Sequence, residues 1–164
     1  MSDLNPRHVG LQAVAVLSGS FLSGSMASLS LIMIPLFLDT NTQAEQLVGQ
    51  FVRLYYYGHR LMPAISVTTC AMYGLVASRK RAAERPWRTY AIAAATTVAM
   101  VPFTWLCMVP TNNALFGLYA AQDPALDEVQ RLIVRWKWLH VARSAFPLLG
   151  AVIGWMGVLG ELMG

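Results

Sequence analysis

His140 and Arg143 stand three residues apart, so a helix places both side chains on one face. They lie in Trp136-Lys137-Trp138-Leu139-His140-Val141-Ala142-Arg143-Ser144-Ala145-Phe146-Pro147, and from Leu139 to Leu159 they are the only strongly polar side chains. Ionisable groups entering a hydrocarbon-length helix point to function, because burying them unpaired is expensive. Imidazole is suited to taking up a proton near neutral pH, and a guanidinium to holding an oxyanion. A second such pair, His59-Arg60, follows Tyr55-Tyr56-Tyr57-Gly58 and precedes Pro63, with another apolar run beginning at Leu61. Tyr55 falls one helical turn before His59, and Tyr56 one turn before Arg60. The plain alternative is interfacial: an aromatic belt, with arginines snorkelling to headgroups.

The elements that must position these residues are membrane helices. Of the 164 residues, 56% are hydrophobic and 12% charged, where soluble domains carry roughly 25% charged residues. The mean hydropathy is +0.49, and the apolar residues form four blocks of about the length that crosses a bilayer, roughly 20 residues as a helix. The expectation is an all-α integral-membrane four-helix bundle, one domain over 1–164, with spans near 9–38, 51–77, 88–110 and 136–160. Arg79, Lys80, Arg81, Arg85 and Arg88 face only Glu84 in the stretch 78–88. By the positive-inside rule that stretch is cytoplasmic, and so are both termini. The net charge of +4 therefore speaks for lipid rather than nucleic acid. The stretch 39–50 reads as a polar outer loop, and 114–130, with Asp123, Asp127, Glu128 and no basic residue, as a longer one. Val109-Pro110-Thr111-Asn112-Asn113 then closes the third span beside that outer face, Pro110 serving as a turn and Pro102 as a kink. On this topology His59, His140, Arg60, Arg143, Asn112 and Asn113 gather in one layer.

Small residues mark the packing faces. Gly19, Ser23 and Ala27 recur every fourth residue, as do Ser20, Gly24 and Ser28, and Gly150 and Gly154 make a GxxxG step. Such faces let helices approach closely in lipid, within one chain or in a homo-oligomer. Cys70 and Cys107 have no CxxC or metal-ligand spacing and read as inert.

The sequences Tyr55-Tyr56-Tyr57-Gly58-His59-Arg60-Leu61-Met62-Pro63, Pro102-Phe103-Thr104, Val109-Pro110-Thr111-Asn112-Asn113 and Trp138-Leu139-His140-Val141-Ala142-Arg143 together resemble the anthrone oxygenase family, small four-helix membrane proteins of polyketide pathways. The resemblance runs from about Gly19 to Gly157. It implies oxidation of a hydrophobic anthrone to its anthraquinone by dioxygen, in the endoplasmic reticulum or another endomembrane. An anthrone has an acidic methylene, and its anthranolate is electron-rich enough to react with dioxygen directly. The reaction calls for a base, a cation for the oxyanion and an apolar pocket. His140 or His59 would be the base and Arg143 and Arg60 the cations. Asn112, Asn113, Tyr55, Tyr56, Trp138 and Trp105 would line the substrate. No flavin, nicotinamide or haem-attachment motif is visible, and no metal is required in principle. Two other readings stand beside this one. His59 and His140 could ligate copper, iron or haem; with His8 at the opposite face, the histidines are too few for two bis-histidine haems. Or the chain could be a tetraspan scaffold without enzymatic chemistry.

Overall fold

Each apolar block folds as a helix, and each helix outruns its block. A computed structural model describes residues 6–121 and 123–163, with side chains from residue 10 onwards, so His8 lies outside the described side chains. Every element among these residues is helical. Four helices are long and apolar enough to cross a membrane: α1 (Gly10–Thr40), α2 (Ala44–Ala82), α3 (Arg88–Ala120) and α4 (Leu126–Met163). This is an all-α integral membrane protein.

The expected outer loops are shorter than their polar composition implied. α2 begins at Ala44, so little of 39–50 is loop; α3 runs to Ala120 and α4 starts at Leu126, so most of 114–130 is helical. The reason is burial at helical spacing. Leu47, Val48 and Phe51 on α2, Leu115 on α3, and Val129 and Ile133 on α4 all belong to one core cluster, and that apolar area is removed from water only if the helices extend. Pro110-Thr111-Asn112-Asn113 is likewise not a turn but the first part of the helical stretch Val109–Ala120.

The chain divides into two compact units, to each of which all four helices contribute. One comprises α1 up to Ser23, Ala64–Met100 and the chain from Ala145. Its core is Ala15, Tyr73, Val76, Ala77, Tyr90, Ala93 and Ala94. The glycines of α4 make room for the two tyrosines. A Cβ on Gly157 would lie 2.8 Å from the Tyr90 Cζ, one on Gly154 2.7 Å from the Tyr73 Cζ, and one on Gly150 3.0 Å from the Ala93 carbonyl oxygen. Gly19 packs on the Pro147 carbonyl and Ala151, whereas nothing approaches Gly24, and Ser20, Gly24 and Ser28 are exposed. Near the end of α4, Glu161 binds three other helices. It pairs with the Lys80 Nζ at 2.7 Å, accepts from the Tyr90 hydroxyl and accepts from the Gln12 Nε2 at 3.3 Å. The serine and threonine hydroxyls inside this unit are satisfied within it, Ser66 on the Thr97 carbonyl and Ser18 on Thr69. Gly154→Ala is expected to destabilise the protein by about 1–3 kcal/mol through overpacking against the fully buried Tyr73, read as a lower melting temperature in detergent. Gly24→Ala should leave it unchanged.

The other unit comprises Gly24–Pro63 and Val101–Ser144, and it holds the polar pairs singled out above. Its core cluster is Ile34, Leu47, Val48, Phe51, Met108, Leu115, Val129, Ile133 and Trp136. Two of its helical segments are wound as π-helix, Leu29–Met33 in α1 and Thr104–Met108 in α3. The ladder there skips one residue: Ile34 donates to the Leu29 carbonyl and Val109 to the Thr104 carbonyl. Pro35 and Pro110 explain why. A proline has no N–H to give and its ring pushes on the carbonyl four residues earlier, here Leu31 and Leu106, inside the two segments. The wider turn accommodates that carbonyl, and segments of this type recur at functional sites.

Candidate active site

α4 buries one continuous face, Val129, Ile133, Trp136, His140 and Arg143, at three- and four-residue steps. His140 is 3% exposed and Arg143 8%, so both lie inside the protein rather than at its lipid surface. The Arg143 Nη2 is 3.1 Å from the His140 Nε2, and the Arg143 Nη1 donates to the Thr104 Oγ1 at 3.1 Å. On the other ring nitrogen, the His140 Nδ1 is 2.8 Å from the Ser30 Oγ, which itself donates to the Met26 carbonyl at 3.2 Å. A guanidinium can only donate. The His140 Nε2 must therefore accept, and the ring proton sits on Nδ1, donated to Ser30. The imidazole is neutral in this arrangement, with its basic nitrogen aimed at Arg143. The Trp136 ring stacks on that of His140, centroids 4.4 Å apart, which fixes its plane.

Both π-helical segments thus supply one hydrogen-bond partner each, Ser30 to His140 and Thr104 to Arg143. Among the described residues no carboxylate pairs with Arg143; the ion pairs found are Lys80–Glu161 and Glu128–Arg131. Several buried polar atoms in this unit have no hydrogen-bond partner: the Arg143 Nε, Thr111 Oγ1, Asn112 Oδ1 and Trp136 Nε1. Buried polar groups are normally satisfied, and a cluster of exceptions marks a place where something else binds.

The other residues anticipated from the sequence divide between the interior and the surface. Asn112 is buried, 3% exposed, and Tyr55 is half-buried. His59, Arg60, Tyr56, Asn113, Trp138 and Trp105 are exposed, and the structure does not bring them to the His140–Arg143 pair. His59 is nonetheless connected to it. Its Nδ1 lies 3.0 Å from the Tyr55 carbonyl and its ring stacks on Tyr55 at 5.3 Å. Tyr55 meets Phe51 at 6.3 Å, Phe51 meets Trp136 edge-on at 5.3 Å, and Trp136 covers His140. The two histidines are the ends of one run of ring contacts. They do not form a common ligand set: Tyr55, Phe51 and Trp136 intervene, and both nitrogens of His140 are engaged. Among the described residues no group of three or more His, Cys, Asp or Glu side chains could hold a metal ion.

Ser30, Thr104, Thr111 and Trp136 were not apparent from sequence as site residues. Trp136 carried a signal, being one helical turn before His140. Thr104 and Thr111 stood in the Pro102-Phe103-Thr104 and Pro110-Thr111-Asn112 motifs without being singled out, and Ser30 carried only its distance ahead of a proline.

The family model described as anthrone oxygenase matches residues 51–153. The chain belongs to the anthrone oxygenase family. It is 59% identical over 141 residues to the anthrone oxygenase gedH of Aspergillus terreus, covering 86% of this chain and 94% of that one. It is 56% identical over 154 residues to the anthrone oxygenase nsrD of Aspergillus novofumigatus, covering 93% and 95%. Against the noranthrone monooxygenase of Aspergillus flavus the identity is 44% over 160 residues, covering 93% and 75%. No solved structure matches the fold. The stretch matched to the anthrone oxygenase model contains His140, Arg143, Thr104, Asn112 and Trp136, while Ser30 precedes it. Ser30→Ala removes the acceptor that holds the His140 tautomer, at about 1 kcal/mol for such a bond. Turnover is expected to fall roughly fivefold and to return in Ser30→Thr, which keeps the hydroxyl; steady-state kinetics of the two variants check this.

Proposed function

We propose that this protein is a membrane-embedded oxygenase that converts a hydrophobic phenolic anthrone to its anthraquinone with dioxygen, without an organic cofactor. The observation that carries the reading is the buried Arg143, which has no carboxylate partner among the described residues and donates to the accepting nitrogen of a neutral histidine. A buried cation of this kind is costly unless it receives an anion, and the anthranolate oxygen is one. The enol form of an anthrone offers a hydroxyl that can enter between the His140 Nε2 and the Arg143 Nη2. It donates to the first and accepts from the second. Proton transfer to Nε2 leaves an imidazolium held through Nδ1 by Ser30 and an oxyanion held by Arg143. The aromatic wall of Trp136, Phe51 and Tyr55 suits a flat tricyclic ligand, and in this reading the buried Asn112 amide, whose Oδ1 has no partner, orients one of its oxygens. His59, Arg60, Tyr56, Asn113, Trp105 and Trp138 serve the approach from lipid in this reading, with His59 at the outer end of the ring run.

The reaction balances as anthrone plus dioxygen giving anthraquinone plus water. The methylene carbon loses four electrons and dioxygen gains four, so no external reductant is consumed. In this reading the basic stretch 79–88 faces the cytoplasm, and the membrane is that of the endoplasmic reticulum or another endomembrane.

Oxygen uptake by the purified protein in detergent, with a panel of anthrones and with product followed by absorbance, tests the proposal. Uptake and quinone formation above the uncatalysed rate are expected, in a one-to-one ratio and undiminished by exhaustive chelation. Loss of turnover on chelation, restored by one metal, would overturn the cofactor-free reading. Absence of turnover with every anthrone would overturn the activity.

A further inference from the structure

The base and the cation account for one end of the substrate, yet negative charge develops in a second place, on dioxygen as it is reduced. Thr111 and Trp136 supply what that place requires. Both are nearly completely buried, at 2% and 4% exposure, and the Thr111 hydroxyl and Trp136 indole nitrogen have no partner. Met108, Thr111, Asn112 and Leu115 are the buried positions of one face of α3, and Ile133, Trp136, His140 and Arg143 those of α4. Met108 and Leu115 pack in the same cluster as Ile133 and Trp136. Thr111, bracketed by the first two, therefore lies on the face of α3 that enters the cluster containing Trp136. An indole N–H can only donate, so its natural ligand is an acceptor or an anion.

We infer that the Trp136 Nε1–H and the Thr111 hydroxyl form the dioxygen pocket of this enzyme, donating to superoxide and then to the carbon-bound peroxide. The inference rests on the proposed anthrone chemistry. The anthranolate gives one electron to dioxygen, and the resulting superoxide and carbon radical join in a carbon–oxygen bond at the former methylene carbon. The proton held on His140 returns to the distal peroxide oxygen. The remaining carbon-bound proton then leaves as the oxygen–oxygen bond breaks, the proton and the departing hydroxide become water, and the carbonyl forms. Trp136 and Thr111 exchange no proton in this sequence. They lower the barrier by standing where charge appears on oxygen.

The experiment separates the two ends, using the purified full-length chain and anthrone itself. Without dioxygen, deuterium uptake at the methylene in heavy water reads the base and cation alone. With dioxygen, the electrode reads oxygenation. Trp136→Phe keeps a ring over His140, Thr111→Val keeps the shape without the hydroxyl, and Thr111→Ser keeps the hydroxyl. Exchange is expected at the wild-type rate in both Thr111 variants. In Trp136→Phe, whose smaller ring covers less of His140, it should fall far less than oxygenation does; exchange in each variant also shows that it is folded. Oxygenation at low dioxygen should fall by about 10²-fold in Trp136→Phe and Thr111→Val and remain near wild type in Thr111→Ser. Equal losses in both arms would make these residues supports of His140 and overturn the inference, as would undiminished oxygenation. Wild-type protein inert in both arms would overturn the proposed function, and this inference with it.

Discussion

His140→Ala is expected to reduce turnover by about 10²–10⁴-fold, the range lost when a positioned general base is removed. The Ser30 contact holds the ring proton on Nδ1, leaving Nε2 as the only basic position. Alanine removes that lone pair and opens a space under Trp136 of imidazole size. Added imidazole should therefore restore part of the rate to His140→Ala, an effect that a structural loss would not show. His59→Ala is the comparison. Its ring is exposed and bonded only to its own helix and Tyr55, so the loss should stay below about tenfold, that is within about 1.4 kcal/mol of barrier. Steady-state oxygen uptake on both variants, with and without imidazole, decides the matter. A fully active His140→Ala would end the assignment of His140 as the base.

Arg143→Lys is expected to lose about 10²–10³-fold in turnover while remaining folded. The guanidinium reaches the His140 Nε2 with one nitrogen and the Thr104 Oγ1 with another, both at 3.1 Å. A lysine ammonium is a compact point charge and cannot reproduce that planar fork. The magnitude is that found on removing one donor to a developing oxyanion, about 3–4 kcal/mol. Arg143→Met gives the sharper contrast. Removing the buried charge relieves its desolvation cost but leaves the His140 Nε2 and Thr104 Oγ1 without their donor, about 1–3 kcal/mol, so this variant should stay folded and melt near the parent while its turnover is lost. An arginine retained for stability would behave in the opposite way, its methionine variant unfolding early. Thermal melts and oxygen uptake on the same preparations distinguish the two.

The residues that proved most legible were those whose partners lie on the same helix. His140 and Arg143 are three residues apart, and any helix puts them together. The shortness of the two polar connections, 39–50 and 114–130, was less legible. Asp123, Asp127 and Glu128 gave 114–130 the composition of a loop, but the burial of Leu115, Val129 and Ile133 outweighed it, since a few exposed carboxylates at helix ends cost little. Asn112 and Asn113 are adjacent in sequence, yet one is buried and the other exposed, because α3 continues through them and a step of one residue turns a side chain by about 100°.

The sequence by itself determined that this is a membrane protein of four long helices, since bilayer thickness fixes the length of an apolar run and backbone polarity forces it into a helix. Where those helices depart from regular winding was not legible in it: Pro35 and Pro110 follow π-helical segments, whereas Pro63 and Pro147 sit in regular α-helix. The partners of the base and the cation were decided only by the tertiary structure. Ser30 lies 110 residues from His140, and Thr104 lies 39 from Arg143. No local pattern can encode such pairings, because they depend on how one helix is rotated and shifted against another, and many side-chain contacts set that together. The same rotation turned His59 outward and Thr111 inward, although both stand in polar stretches of similar appearance. Periodicity identifies the face a helix can bury; only packing selects which polar atoms on that face meet a partner and which are left to meet a substrate.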